Sequence, residues 1–193
     1  MGDQPAQLLQ KTVFPPITVS QPGGEPSQTQ GKQPAVVHLI NGEFWWVHTV
    51  RHPDDAGRTA VRWWRIRATD NAILGESILS DATLSFLQPS IAIDRAGHIV
   101  IGCHGTSATQ HLSAYVFAGR IARGKVVFDP AAVLLKAGEG VHGPKTSRWG
   151  DFSTTVADPT APGTFWTFLA YAQQNGQWAT QITQVIVAGR PKT

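Results

Sequence analysis

The sequence predicts an all-β protein made of three consecutive four-stranded antiparallel units, a partial or half β-propeller. Two observations lead to this fold class. Apolar and polar residues alternate with a period of two between turns rich in Gly, Pro, Asn and Asp, while helical periodicity is nearly absent. A hairpin followed by further strands also recurs along the chain, and Gln88 repeats Gln33 after 55 residues. Units of about 50–60 residues with four strands each are typical of propeller blades.

The first unit is predicted over residues 33–87. Its strands are expected at residues 33–37, 44–47, 61–67 and 74–79. The dipeptide Asn41-Gly42 between the first two strands is a strong signal for a tight hairpin turn.

The second unit is predicted over residues 88–142. Its strands are expected at residues 88–93, 99–101, 114–121 and 126–135. Residues 130–137 carry a short helical period that is equally compatible with a strand.

The third unit is predicted over residues 143–193, and no fourth strand is expected in it. Its three strands are expected at residues 150–156, 165–168 and 179–187. Residues 1–32 hold an orphan strand at 11–19 and a linker rich in Pro, Gly, Ser and Gln at 21–33. The orphan strand would belong to a preceding blade, or would complete the third unit. A β-sandwich with accidental similarity between its hairpins is the alternative fold.

The charge pattern argues against a nucleic-acid partner. The chain is mildly basic, with a formal charge of +3, and only 15% of its residues are charged. The densest arginine set, from Arg51 to Arg67, is interrupted by Trp63, Trp64 and Ile66. This alternation predicts arginines on one strand face and apolar groups on the other, which indicates a solvated outer face rather than a nucleic-acid stripe.

The single cysteine and the chain termini exclude further classes of site. Cys103 ends the apolar run 99–103, so we expect a small buried side chain, no internal disulfide and no multi-cysteine metal site. No apolar run is long enough for a membrane span. The first five residues lack the features of a signal peptide, which by itself would indicate a soluble cytoplasmic chain. No cofactor is expected.

Several motifs together carry a resemblance to a known family. They are Gln21-Pro22-Gly23-Gly24, Trp46-Val47-His48-Thr49-Val50, Ala60-Val61-Arg62-Trp63-Trp64-Arg65-Ile66, Pro89-Ser90-Ile91-Ala92, Arg148-Trp149-Gly150-Asp151-Phe152-Ser153 and Trp178-Ala179-Thr180-Gln181-Ile182. With these motifs in this order over residues 20–187, the chain resembles large bacterial β-propeller proteins that are related in fold to sialidases. The resemblance implies a propeller fold and a secreted or cell-surface parent protein, and it implies little about activity.

Three blades are too few for the four to eight that close a propeller. Such a chain would leave apolar sheet faces open, which favours association. It is expected to be either a truncated product or a partner in a larger ring, and two copies would make a ring of six blades.

Chain connectivity predicts that the longer loops share one end of the units. These loops are residues 48–60, 103–112, 137–149 and 170–178, and they hold five of the seven histidines: His48, His52, His104, His111 and His142. Histidine is a common acid, base and metal ligand. No spacing typical of a metal site is present, so no metal is expected. His48, His104 and His142 remain candidate ligand-binding residues.

The segment 145–151 is the preferred candidate site, because it enters an innermost strand from the loop end. Arg148 could bind a carboxylate, Trp149 could stack on a sugar and Asp151 could act as an acid. In the structural alternative, Arg148 and Asp151 pair or cap the loop, and Trp149 packs between blades.

The leading functional hypothesis is a non-catalytic propeller unit that presents loops to a glycan or protein partner. The alternative is a sialidase-like glycoside hydrolase, as a fragment or a half-ring whose site forms on assembly. That chemistry needs an arginine cluster, a tyrosine nucleophile with a glutamate partner and an acid. The chain has only two tyrosines, Tyr115 and Tyr171, and residues 90–97 do not meet the spacing of that superfamily's aspartate box. A purely structural fragment without a ligand is the third hypothesis.

Overall fold

A computed structural model of the chain describes residues 17–23, 26–29, 36–143, 148–149 and 153–187, and every regular element in them is a β-strand. The first seven strands are β1 (Ile17–Val19), β2 (Ser27–Thr29), β3 (His38–Ile40), β4 (Glu43–Arg51), β5 (Thr59–Arg67), β6 (Ile73–Leu79) and β7 (Ser85–Ile93). The other seven are β8 (His98–Thr106), β9 (Ser113–Ala122), β10 (Lys125–Phe128), β11 (Val133–Lys136), β12 (Thr154–Ala157), β13 (Thr164–Ala172) and β14 (Trp178–Ile186). The predicted all-β class is confirmed.

The described strands form three antiparallel sheets of three to five strands and a separate two-stranded pair. The first sheet has the order β3-β4-β5-β6, the second the order β10-β9-β8-β7 with β11 also on β9, and the third the order β12-β13-β14. None of these sheets closes on itself. Sequential antiparallel pairing follows from the short turns, because antiparallel neighbours need only a tight hairpin.

Several strands differ from their predicted bounds. Strands β4 and β8 are longer than the predicted 44–47 and 99–101, since they continue to Arg51 and Thr106. The first strand of the first sheet begins at His38, while residues 33–35 lie outside the described part of the chain. The predicted strand over 126–135 is two strands, β10 and β11, which both pair with β9. Pro130 lies in the gap, and it has no N–H for a sheet hydrogen bond, so a continuous ladder is unfavourable there.

The N-terminal prediction was wrong in its pairing. Part of the predicted linker is strand β2, and β1 pairs with it from Val19↔Ser27 to Ile17↔Thr29. The described part of the predicted orphan strand therefore has a local partner and does not complete the third sheet. This hairpin is held to the second sheet, because Thr106 Oγ1 donates to Ser20 O at 3.0 Å.

The second sheet lies between the other two, and its two faces pack on different neighbours. Ile99, Ile101 and Cys103 belong to the cluster shared with the first sheet, whereas Val100 belongs to the cluster shared with the third. The first sheet contributes Trp45 and Trp63, whose stacked rings lie 6.3 Å apart, and burying each indole is strongly favourable.

Cys103 is fully buried, and burial raises the pKa of its thiol well above the ordinary value. The expected small buried side chain is confirmed.

The second and third sheets approach closely at Gly102. A Cβ atom at this position would lie 2.6 Å from Thr155 Oγ1, closer than real contacts allow. Phe165 and Leu169 of the third sheet, both fully buried, complete this contact.

The prediction that the arginines share one strand face was wrong. Arg62 and Trp64 lie on the outward face of the first sheet, where Arg62 lies over the Trp64 ring at 4.3 Å. Arg65 lies on the opposite face of the same strand and is buried. Its guanidinium donates two hydrogen bonds to the Glu43 carboxylate, at 2.7 and 2.8 Å. Arg65 also donates to Gly124 O of the second sheet at 2.8 Å, so this cation joins two sheets.

Turns at the end opposite the loops also tie neighbouring sheets together. The Asp94 carboxylate accepts hydrogen bonds from His98 Nδ1 at 2.8 Å and from Gly163 N at 2.7 Å. Burial alone would raise the pKa of Asp94, but these hydrogen bonds hold it below its ordinary value. The second and third sheets are thereby joined at this end.

Candidate functional site

Long connections from the second and third sheets meet at one end of the stack, called the loop end below. They comprise residues 107–112, 137–143 and 173–177. Ala172 N donates to Leu112 O at 2.9 Å, and Ala172 O accepts from Glu139 N at 2.8 Å. Gly143 N donates to Gly176 O at 3.0 Å. The loops therefore form one connected surface, as the connectivity predicts.

The first sheet joins the same end through Asp81, which precedes β7. Arg58 donates to the Asp81 carbonyl, and the same oxygen lies 3.2 Å from His52 Nε2. His52 Nδ1 accepts from Asp54 N at 3.1 Å, and the ring is only 7% exposed. His52 thus holds the loop 52–58 in place instead of facing a ligand.

Trp149 lies in a buried cluster beneath the loop end. Its side chain is 1% exposed, and its ring meets the rings of His142 and His104 edge-on, with centroids 4.7 and 5.5 Å apart. Val19 and Leu112 pack in the same cluster. An enclosed indole offers no free face to a sugar, so the structure favours the alternative in which Trp149 packs between elements.

His142 is held by the N-terminal segment. His142 N donates to Gln21 Oε1 at 3.1 Å, and Gln21 Nε2 donates to His142 O at 3.3 Å. His142 Nε2 lies 3.3 Å from Arg148 O. Three predicted site residues, His142, Arg148 and Trp149, are therefore neighbours, with Arg148 exposed at the surface. Asp151 lies outside the described residues, and its role stays a prediction.

His104 lies in β8 rather than in a loop and is fully buried. Its Nε2 accepts from Ala170 N at 3.1 Å, so the ring proton is on Nδ1. Burial lowers the pKa of His104 to about 3. A neutral imidazole thus links β8 to β13, and it is enclosed too deeply to act on a ligand directly.

His48 lies in β4 and not in the predicted loop. It occupies the outward face of the first sheet, directly opposite Arg62 in the strand pairing. Burial, and then the nearby Arg62 charge, lower the pKa of His48. His48 is therefore separated from the other candidate residues.

A second feature is a groove where the first strands of all three sheets converge. Its cavity of about 260 Å³ is lined by Val36, His38, Val47, Pro89, Ser90, Ile91, Ser153, Thr154, Thr155 and Val156. Ser90 Oγ and Thr155 Oγ1 lie 2.8 Å apart within it. Burial lowers the pKa of His38, and the hydrogen bond with the Ile91 backbone, which raises this pKa, offsets the effect of burial only in part.

The described residues that line the groove are therefore uncharged, and none of them is an arginine that could bind a substrate carboxylate. Sequence reasoning missed His38, because it precedes the predicted turn instead of lying in a long loop.

Neither tyrosine is placed as a nucleophile. Tyr115 is 7% exposed, packs edge-on against Phe86 and has a pKa that burial raises. Lys136 Nζ lies 4.8 Å from the Tyr171 ring centroid and 2.7 Å from Glu139 Oε1. The Glu139 carboxylate thus pairs with a lysine rather than with the tyrosine.

Sequence reasoning placed Trp178 in the loop 170–178 but did not select it as a candidate site residue; in the structure it follows loop 173–177 and begins β14. Its side chain is 62% exposed, and the loop before it contains Gln173, Gln174, Asn175 and Gln177. The sequence pattern that could have indicated this site is a run of amide side chains directly before an aromatic residue at the start of a strand.

Comparison with protein-family models, with curated proteins and with solved structures gave no match. Within the described ranges, no His, Cys, Asp and Glu side chains group as metal ligands, and no helix could span a membrane.

Proposed function

We propose that this chain is a non-catalytic β-propeller unit that binds an uncharged glycan at its loop end. The observation that carries the proposal is the exposed indole of Trp178 beside the amide-rich loop 173–177. The buried Trp149 cluster supports this loop from below, since Ala172 packs in that cluster and pairs with Trp178 across the strands.

The chemistry of this loop suits a sugar. Residues 173–178 carry no charge, and their amides both donate and accept hydrogen bonds. Asn175 Oδ1 accepts from Gln177 N at 3.1 Å, which leaves the Nδ2 amino group as the donor for a ligand. A sugar has hydroxyl groups for the amides and an apolar ring face for the indole of Trp178.

The propeller part of the proposal rests on the arrangement of the sheets. Three antiparallel sheets pack face to face, and their first strands β3, β7 and β12 line one cavity. In propeller blades the innermost strands line a central channel.

The absence of catalysis is supported by the groups a sialidase-like reaction would need. Among the described residues, Tyr115 is in the core, Tyr171 faces Lys136, and the groove carries no charged group. Such a reaction needs a nucleophile and an acid flanking the bond to be broken.

An array of neutral oligosaccharides, followed by calorimetric titration of the best ligand, tests the proposal. We expect binding without cleavage, and Trp178→Ala should weaken it at least about tenfold, since a central aromatic contact contributes over 1.4 kcal/mol. Trp166→Ala is the matched control, because Trp166 lies toward the far end of the same strand pair. The affinity of the Trp166→Ala variant for the glycan should stay within about twofold of the wild-type value.

Three results would contradict the proposal. The array could show no neutral ligand, Trp178→Ala could bind as the wild type does, or mass spectrometry could show cleaved glycan. Cleavage that is lost in Arg148→Ala and Asp151→Asn would establish the glycoside hydrolase instead.

A further inference from the structure

Two sheet faces on opposite sides of the stack are apolar and open. On the third sheet, the outward residues Val156, Phe168, Ile182 and Ile186 are between 39% and 70% exposed. We call them the third outer face. On the first sheet, the apolar residues of the outward side are Leu39, Phe44, Trp46, Trp64, Ile66 and Ile73. Leu39 and Ile73 are 62% and 58% exposed, and the other four are partly buried. His48, Arg62 and Glu76 lie on the same side of the sheet. We call this the first outer face.

Such faces are unusual on a solvated surface. Exposed apolar patches of this extent normally mark an interaction site. The Trp46 and Trp64 rings stack on each other at 5.7 Å, and the Arg62 guanidinium lies over the Trp64 ring, so the aromatic part of the first outer face is only partly open.

The two open faces are of complementary kinds. We call the side of a sheet that faces the next sheet along the chain its forward side, and the side that faces the preceding sheet its backward side. Each contact within the stack joins the forward side of one sheet to the backward side of the next. In β8, Ile101 faces backward to the first sheet and Val100 faces forward to the third. The first outer face is a backward side, and the third outer face is a forward side. A contact between them would repeat the relation that already holds twice in the chain.

We propose that a second copy of this chain covers both faces, so that two copies close a ring of six sheets. The third outer face of each copy packs on the first outer face of the other. This contact is heterologous, and two of them close under two-fold symmetry. The ring is argued from other residues than the glycan proposal. Trp178 is on the same outward side of β14 as Ile182, but it lies about 14 Å along the strand, at the loop-end rim.

The charges of the two faces permit this contact. The third outer face carries none, since the outward residues of β12, β13 and β14 are Thr, Val, Trp, Phe, Ala, Ile and Gln. On the outward side of the first sheet the described charged residues are Arg62 and Glu76, which form an ion pair with each other. Nearby, His48 has a lowered pKa. No unpaired charge would have to be buried among these residues.

The area is sufficient for a stable dimer. The third outer face, with two nine-residue strands and the four-residue β12, covers about 350 Å². Strands β4, β5 and β6 of the first outer face cover about 400 Å². Two contacts, each burying one face of each kind, remove about 1,500 Å² from water, which is within the usual range for a specific interface.

Sedimentation velocity on the full chain tests the ring. We expect a species of twice the 20.8 kDa chain mass that stays discrete from low to high micromolar concentration. Ile182→Glu and Trp46→Glu should each give a monomer, because each places a charge in both symmetry-related contacts. Leu39→Glu, at a position already exposed, repeats the test on the first outer face with little risk to folding.

Val127→Glu is the matched control, since Val127 is 48% exposed on β10 and lies outside both faces. It should remain a dimer. Mixing Ile182→Glu with Trp46→Glu should restore part of the dimer, because one contact then joins two intact faces.

A monomeric wild type at all concentrations would overturn the proposal. So would an open-ended series of masses, since the contact would then not close. A dimer that survives Trp46→Glu and Leu39→Glu but not Ile182→Glu would show a symmetric contact between third outer faces and would equally exclude the ring.

Discussion

At the scale of single residues, His104 ties the second sheet to the third as a neutral imidazole. Its Nε2 accepts a backbone hydrogen bond and its ring is fully enclosed. The pKa of His104 is lowered to about 3 in the folded chain, against about 6.5 for a free histidine. The unfolded chain therefore binds a proton at mildly acidic pH that the folded chain excludes.

The free energy of unfolding should consequently fall as the pH drops below about 6.5. The stability is fully present above the unfolded pKa and is lost progressively toward pH 3, so His104 alone should cost about 2 kcal/mol at pH 5. Urea unfolding at pH 7 and pH 5 measures this difference.

His38 and His48 also have lowered pKa values and add to the loss in the same direction. The His104→Gln variant isolates the contribution of His104, since its stability should depend less on pH than that of the wild type. An equal pH dependence in both proteins, or an imidazolium signal of His104 in nuclear magnetic resonance spectra at pH 5, would refute the assignment.

At the scale of strands and sheets, two Arg–Glu pairs lie on opposite faces of the first sheet. The side chains of Arg65 and Glu43 are 11% and 16% exposed, whereas those of Arg62 and Glu76 are 34% and 38% exposed. Removing one partner of an enclosed pair leaves an uncompensated charge, while an exposed pair contributes little.

Glu43→Gln should therefore destabilise the protein by about 2–3 kcal/mol, and Glu76→Gln by less than about 1 kcal/mol. Thermal and urea unfolding of the two variants provide the measurement, with each serving as the control for the other. Equal effects would mean that the Arg65–Glu43 pair does not hold the first two sheets together.

The strands of these sheets were largely predictable, but their faces were not. Period-two alternation and turn residues give the strand positions, as in the hairpin around Asn41-Gly42. In β5 both faces carry indoles and arginines, so the sequence pattern shows which residues share a face without showing which face is buried. The local pairing of β1 with β2 was hidden because its three-residue strands are too short for a period.

The candidate site was predicted in part, for a similar reason. Chain connectivity places the long loops at one end, and the structure connects them there. The burial of Trp149 depends on His104, His142 and Val19, which come from distant segments. No local pattern contains that information.

At the scale of the whole molecule, the two proposals assign different functions to the loop end and to the two outer faces. Loop 173–177 carries uncharged hydrogen-bonding groups, which the glycan proposal uses, and the outer faces carry exposed apolar residues, which the ring proposal uses. Ring closure would place the uncharged groove of His38, Ser90 and Thr155 along a central channel.

Small-angle X-ray scattering of the wild-type chain tests most directly whether three sheets are half of a closed ring. A compact dimer of this length has a radius of gyration of about 21 Å, and a compact monomer about 16 Å. We expect about 21 Å or slightly more, independent of concentration, because a ring is a closed species. A value near 16 Å, or one that rises steadily with concentration, would contradict the ring.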